Sequence, residues 1–158
     1  MTSPLLPILV LWLIAITAMD LRQRKVKNRM VLLGLATGAA ALFSGAQPLQ
    51  TSVWSGLGGM AAGFAALLPF YALRWMGAGD VKFAAVAGLW FGCTPALLAI
   101  WLGGSLLAGL HGMAVLAWRH WLQGSVQLTL NRQAIQRSIP YAGYMALVAI
   151  WVVVRTRA

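Results

Sequence analysis

The chain carries only two acidic side chains, Asp20 and Asp80, and has no Glu. Two carboxyl groups that share one proton can hydrolyse a peptide bond. The ionised group activates a water molecule, while the protonated group polarises the scissile carbonyl. Two like charges held close together cannot both ionise, so such a pair titrates as a unit. We predict that Asp20 and Asp80 form a catalytic pair that works without a metal ion or a covalent intermediate.

Glycines precede the second acid, in the segment Gly77-Ala-Gly-Asp80. Glycine adopts backbone angles that are closed to other residues, and it lets an extended peptide approach the main chain. We expect Gly77 and Gly79 to support Asp80 in this way. Lys82 follows two residues after the acid. It either orients and electrostatically tunes Asp80, or anchors its helix at a membrane boundary.

Each acid also has a purely structural interpretation. An Asp at a helix end beside several arginines often caps the helix or forms a salt bridge. This interpretation is the stronger one for Asp20 considered alone, because Arg22 and Arg24 follow it closely. The lack of any other acidic side chain favours a shared chemical role for the two residues.

Composition places these residues in a membrane protein. The chain is 61% hydrophobic and 9% charged, whereas soluble domains contain about 25% charged residues. Four segments contain no Asp, Glu, Lys or Arg: residues 1–19, 30–73, 83–118 and 138–154. A spanning helix needs roughly 20 mostly apolar residues, so these segments supply about six spans. We predict an all-α, polytopic bundle of transmembrane helices that forms a single domain over residues 1–158.

Basic residues set the orientation of the bundle. The loop after the first span, residues 20–29, contains a basic cluster and is therefore predicted to be cytoplasmic. The chain returns to the same side at residues 74–82. Both acids thus lie at cytoplasmic ends of spans. The net charge of +10 does not indicate a nucleic-acid partner, because the basic residues occupy short loops between apolar segments.

The opposite side of the membrane receives uncharged turns at residues 44–48 and 91–95. Arg155 and Arg157 also fall on that side, against the positive-inside rule. The fourth span has room for only about ten residues, or about 15 Å of helix. It is therefore expected to begin below the membrane surface, which puts Asp80 at or inside the boundary.

The last part of the chain combines a polar stretch with one more span. Residues 119–137 are predicted to lie along the cytoplasmic interface. Ser138 and Pro140 resemble the start of a helix. A metal site at His111 or His120 is not expected, since no carboxylate or thiol lies near either in sequence. We predict no cofactor, and the single Cys93 excludes an internal disulfide.

Three motifs together resemble the type IV prepilin peptidases, a family of polytopic aspartic peptidases. The first is Asp20-Leu-Arg-Gln-Arg-Lys-Val-Lys-Asn28, although Lys27 stands where the family commonly has Pro. The second is Gly77-Ala-Gly-Asp-Val-Lys82, which matches the family's Gly-x-Gly-Asp-x-Lys form. The third, Ile139-Pro-Tyr-Ala-Gly143, is similar to the opening of the last span in short members. The resemblance covers nearly the whole chain.

The resemblance implies an enzyme of the bacterial inner membrane that cleaves prepilin leader peptides at the cytoplasmic face, after a Gly that precedes the pilin's hydrophobic helix. Its partners would be the prepilin and membrane lipid. The compact form resembles the subfamily that serves tight-adherence (Flp) pili. With Cys93 as the only cysteine, the N-methylation performed by larger members is not expected. We take Arg22, Arg24 and Asn28 as candidate substrate contacts, with the alternative that the arginines are solvated topology anchors.

Two other classes of protein fit the same acids. A small transporter or channel could bind or relay cations through Asp20 and Asp80, although such proteins usually place acids near the bilayer midplane. A noncatalytic membrane subunit could use them only as helix caps. Loss of peptide cleavage in each single Asp→Asn variant separates the peptidase from both.

Overall fold

The computed structural model describes residues 5–123 and 139–156. It contains helices and no strand in those ranges, which confirms the prediction of an all-α bundle. Six helices follow one another: α1 Leu6–Gln23, α2 Asn28–Phe43, α3 Val53–Ala72, α4 Ala78–Phe91, α5 Pro95–Gln123 and α6 Tyr141–Arg155.

Three of these helices are long and apolar enough to cross a membrane, namely α1, α3 and residues Pro95–Trp118 of α5. The helices α2 and α6 are apolar but shorter. The shortest is α4, whose 14 residues rise about 21 Å. The fourth helix is short, as expected, but it is longer than the ten residues predicted, because it begins at Ala78.

Helix α4 forms the centre of the bundle and contacts α2, α3, α5 and α6. Its side chains are buried on almost every side, with Phe83 and Trp90 fully enclosed. Close packing against α3 depends on glycine. A Cβ on Gly59 would overlap the carbonyl oxygen of Gly88, so the two backbones are in direct contact. The element that carries Asp80 is therefore held rigidly from several directions.

Within the described residues, the connections differ from the sequence prediction at the two loops that were expected to carry the acids. The predicted loop at residues 74–82 is shorter, because α4 begins at Ala78 and includes Asp80 and Lys82. Helix α1 continues through Asp20 to Gln23, so the acid lies within the helix and not at the start of the loop. Arg24 ends the helix in the left-handed region, with φ 51°. The turns predicted at residues 44–48 and 91–95 agree with the structure, since α2 ends at Phe43 and α4 ends at Phe91. The predicted interfacial stretch lies partly outside the described residues, as does Ser138.

Candidate active site

Asp20 is buried in the last turns of α1, with 4% of its surface exposed. Its Oδ2 accepts a hydrogen bond of 2.7 Å from the backbone N–H of Gly143 in α6. A buried carboxylate needs such a partner, because leaving it unsatisfied costs more free energy than the hydrogen bond itself provides. Asp20 is thus tied to a helix more than a hundred residues away in sequence.

Asp80 lies in the first turn of α4 and is partly buried. Its Oδ2 accepts from the N–H of Gly77 at 3.1 Å, so Asp80 caps its own helix. Its other oxygen, Oδ1, accepts from the N–H of Ala142 in α6 at 3.0 Å. The capping role expected from the structural interpretation is present, and it leaves one oxygen directed at α6.

The first turn of α6 therefore joins the two acids. The first N–H groups of a helix have no partner within the helix. Here each one has a different acceptor: Tyr141 donates to the carbonyl of Ile139, Ala142 to Asp80 and Gly143 to Asp20. The positive end of the helix dipole also favours negative charge at this point.

Sequence reasoning found the motif that opens α6 but assigned it no part in the site. The site residues that were not predicted are Ala142 and Gly143, which act through their main chain. Pro140 occupies the N-cap position of α6. A helix start in a chain with only two acids was the available signal, since free N–H groups attract carboxylates.

Burial, and after it the negative charge on Asp20, raises the pKa of Asp80 to about 6. The two N–H groups that Asp80 accepts from act in the opposite direction, because they stabilise the charged form. Asp80 lies outside the three helices that are long enough to span a membrane. Its interaction with Asp20 means that the two carboxyl groups are electrostatically coupled.

A hydrogen bond connects the first two motifs. The Nζ of Lys82 donates to Oδ1 of Asn28 at 3.1 Å, which joins the beginning of α2 to α4. Lys82 is exposed and directed toward Asn28. The contact ties the chain segment that follows Asp20 to the helix that carries Asp80.

The two glycines before Asp80 have ordinary backbone angles. Gly77 is extended, with φ −80°, and Gly79 has no positive φ. They provide space instead of unusual torsion angles. A Cβ on Gly79 would lie 3.3 Å from Cβ of Val26, and one on Gly77 would lie 3.3 Å from Oδ2 of Asp80. Glycine thus lets the α1–α2 connection approach α4.

A cavity of about 930 Å³ opens beside the two acids. Its wall combines both carboxylates with basic and aromatic side chains: Asp20, Asp80, Arg24, Lys25, Arg74 and Trp75. Of the arginines considered as substrate contacts, Arg24 lines this cavity, whereas Arg22 is exposed in the last turn of α1 and is not part of the wall. Within residues 5–123 and 139–156, no group of three or more His, Cys, Asp or Glu side chains could hold a metal ion.

Comparison with known proteins identifies the family of this chain. The model of the type IV leader peptidase family matches residues 7–113. The chain belongs to the type IV leader peptidase family. The resemblance inferred from the three motifs is thereby confirmed. Searches of curated proteins and of solved structures gave no significant match.

Membership in the type IV leader peptidase family makes the chain a peptidase, and the family acts on prepilins. The apolar helices agree with a membrane protein. The matched residues include both acids and end within α5, so α6 lies beyond them. The N–H groups that bind the two acids therefore come from a part of the chain outside the family match.

Proposed function

We propose that this type IV leader peptidase is an aspartic endopeptidase in which Asp20 and Asp80 activate one water molecule. The observation that carries the proposal is their shared anchorage. Acids from α1 and α4 bind the N–H groups of consecutive residues, Ala142 and Gly143. Acids that served only as caps for their own helices would have no reason to meet at a third helix.

The chemistry follows from one shared proton. The ionised carboxylate takes a proton from water, and the resulting hydroxide attacks the scissile carbonyl carbon. The protonated carboxyl group donates its hydrogen bond to the carbonyl oxygen as negative charge develops there. The C–N bond then breaks, and the leaving nitrogen receives a proton from the pair. The products are a leader peptide with a new carboxylate and a pilin with a new amino terminus.

The site faces the cytoplasm in this proposal. The connections nearest the acids, residues 24–27 and 73–77, contain Arg24, Lys25, Lys27 and Arg74. The connections at the other end of the bundle, residues 44–52 and 92–94, contain no charged residue. Lys and Arg are retained on the cytoplasmic side of the bacterial inner membrane. We infer that all the helices form one peptidase domain in that membrane.

The substrate proposed here is a prepilin of the Flp type. Support comes from Ile139-Pro-Tyr-Ala-Gly143, which resembles the corresponding opening in the short members that serve Flp pili. The cavity beside the acids is open, so an extended segment around the scissile bond can reach them, while the pilin's hydrophobic helix remains in lipid. Arg24 is the cavity-lining candidate among the two arginines.

The test compares three purified proteins in detergent: wild type, Asp20→Asn and Asp80→Asn. Each is incubated with an Flp-type prepilin and with a longer type IV prepilin, and the products are identified by mass spectrometry. Wild type is expected to release the leader of the Flp-type prepilin, and both variants are expected to be inactive.

The matched control is Cys93→Ser, because this exposed side chain lies at the opposite end of the bundle. It should cleave like wild type. Gel filtration and far-UV circular dichroism establish that the Asp→Asn variants are folded. Cleavage by either folded Asp→Asn variant would contradict the aspartic mechanism. Preference for the longer prepilin would contradict the Flp assignment alone.

A further inference from the structure

We propose that Gly143 is a positioning residue that fixes Asp20 relative to Asp80, an inference that depends on the proposed catalytic role of the two acids. Gly143 contributes no side chain. Its role comes from its N–H, which donates to Oδ2 of Asp20 at 2.7 Å, and from the space that its missing Cβ leaves for that carboxyl group.

The space at Gly143 is occupied by the acid itself. A Cβ built on this residue would lie 3.3 Å from Oδ2 and 3.4 Å from Cβ of Asp20, and 3.6 Å from Cγ of Leu21. The first two distances are at the tight end of van der Waals contact. An alanine would therefore push the carboxyl group away from the N–H that holds it.

Helix stability alone favours alanine at this position. Gly143 lies in the first turn of α6 and is buried. Glycine is a poorer helix former than alanine, because it loses more backbone freedom when the helix forms. A buried helical glycine is usually explained by a neighbouring backbone, as at Gly59, where the contact is a carbonyl oxygen. At Gly143 the nearest atom belongs to a carboxylate.

The N–H of Ala142, next to that of Gly143, fixes the spacing between the two carboxyl groups. Ala142 donates to Asp80 and Gly143 donates to Asp20. Because consecutive N–H groups of one helical turn have a fixed relative position, both carboxyl groups are positioned by the same turn. Displacing Asp20 alone changes the separation across which the water and the scissile carbonyl must fit.

The experiment measures kcat, KM and the pH dependence of kcat for Gly143→Ala with an Flp-type prepilin. We expect kcat to fall about tenfold or more, since a misplacement of 1 Å can cost about 100-fold. KM should stay within about twofold, because Gly143 does not line the cavity and the lining residues other than Asp20 stay in place. The acidic limb of the kcat profile should move to higher pH, because the charged form of Asp20 loses a donor. Among the described residues, Asp80 and Tyr144 interact electrostatically with Asp20, and the basic side chains of Arg24 and Lys25 line the same cavity.

Two glycines of α5 serve as matched controls. A Cβ on Gly109 would meet nothing within 4 Å, so Gly109→Ala should match wild type. A Cβ on Gly103 would lie 2.9 Å from a methyl group of Val148 in α6, away from the acids. Gly103→Ala should lower Tm and leave the pH profile unchanged. Crowding between helices is thereby separated from displacement of the carboxyl group.

The double variant Leu21→Ala/Gly143→Ala keeps the close approach to Asp20 and removes the neighbouring Leu21 side chain, which would lie at the ordinary contact distance of 3.6 Å. We expect its kcat to be no higher than that of Gly143→Ala. Three results would each overturn the positioning role. They are recovery of kcat in the double variant, an unshifted pH profile in Gly143→Ala, and failure of both variants to fold.

The Asp20→Asn and Asp80→Asn proteins are assayed in parallel. If they cleave prepilin, the aspartic mechanism is wrong. If they are inactive while Gly143→Ala behaves like wild type, only this inference is wrong.

Discussion

The two ends of the helix bundle satisfy their helix termini in different ways. At the far end, where α4 ends and α3 begins, hydroxyl groups from neighbouring turns do so: Thr51 Oγ1 donates to the carbonyl of Trp90, and Ser55 Oγ accepts from the N–H of Cys93. At the site end, where α4 and α6 begin, carboxylates accept from Gly77, Ala142 and Gly143.

The difference is between polar groups that only satisfy the backbone and polar groups that can also exchange a proton. A hydroxyl is neutral at every physiological pH, so it satisfies a buried backbone group without a large desolvation penalty. A carboxylate in the same position is costly to bury, and it can exchange a proton. The molecule uses neutral groups where it needs only a turn, and it places both of its acids at the end that opens into the cavity.

The largest expected effect comes from comparing one substitution at each end of the bundle. Asp80→Asn should lower kcat/KM by about 10³-fold or more, as expected when one member of a catalytic unit is removed. At the far end, Thr51→Val should leave kcat/KM unchanged and lower stability by about 1 kcal/mol, the typical contribution of one hydrogen bond. Prepilin cleavage and thermal unfolding of both variants provide the measurement. Equal loss of activity in the two proteins would show that the ends are not functionally distinct.

The second prediction concerns the pH dependence of cleavage. The pair needs one proton, and burial raises the pKa of Asp80 to about 6. As the pH rises through this value the proton is lost, so kcat/KM should fall, approaching tenfold per pH unit well above it. Initial rates between pH 4.5 and about 8.5 test this. The Thr51→Val variant, changed at the far end of the bundle, should give the same pH profile as wild type. A rate that increases steadily with pH would contradict the shared proton.

The third prediction uses the same pKa to predict stability. The folded state holds the Asp80 proton more tightly than the unfolded chain, whose pKa is the ordinary 3.8. This contribution to stability is complete below pH 3.8 and is lost as the pH rises through about 6. Tm of wild type should therefore fall over that interval, and Asp80→Asn should show a flatter dependence. Identical slopes for the two proteins would exclude Asp80 as the titrating group.

The fourth prediction examines the contact between Lys82 and Asn28. Lys82→Met removes the donor to Asn28 and keeps an unbranched side chain. Because the contact is exposed, we expect a loss of about fivefold in kcat/KM, which corresponds to about 1 kcal/mol. Asn28→Ala should cause a similar loss, and the double variant should be no worse than either single change. Additive losses would mean that the two residues act separately.

The smallest expected effect distinguishes the two arginines. Arg24 lines the cavity and Arg22 does not. Arg24→Glu should raise KM for prepilin about threefold, a modest change because exposed charges interact weakly in water. Arg22→Glu, the matched control, should leave KM unchanged. If neither change alters KM, both arginines act only as topology anchors.

Much of the bundle could be predicted from the sequence, because charge-free segments and uncharged turns mark helices in a membrane protein. The turns near residues 44–48 and 91–95 agree with the ends of α2 and α4. The end of α1 was misplaced at Asp20, because a charged residue was taken as the end of the apolar helix. The helix continues to Gln23, and Arg22 in its last turn complements the helix dipole.

The two acids could also be selected as candidates by elimination, whereas the groups that bind them could not be predicted. Their binding partners are main-chain N–H groups of Ala142 and Gly143, which every residue except proline possesses. A side-chain motif does not reveal such donors. The direction of Lys82 toward Asn28 was likewise hidden, because a pair separated by 54 positions depends on how α2 packs beside α4.

The first turn of α6 is synthesised after both of the acids that it binds. The ribosome makes α1 through α5 before α6 emerges, so a nascent chain already contains both acids while lacking the amides that bind them. Until that last described helix inserts, the acids lack the turn that positions them both. If the two acids are the catalytic pair proposed above, the site is complete only once membrane insertion has reached α6.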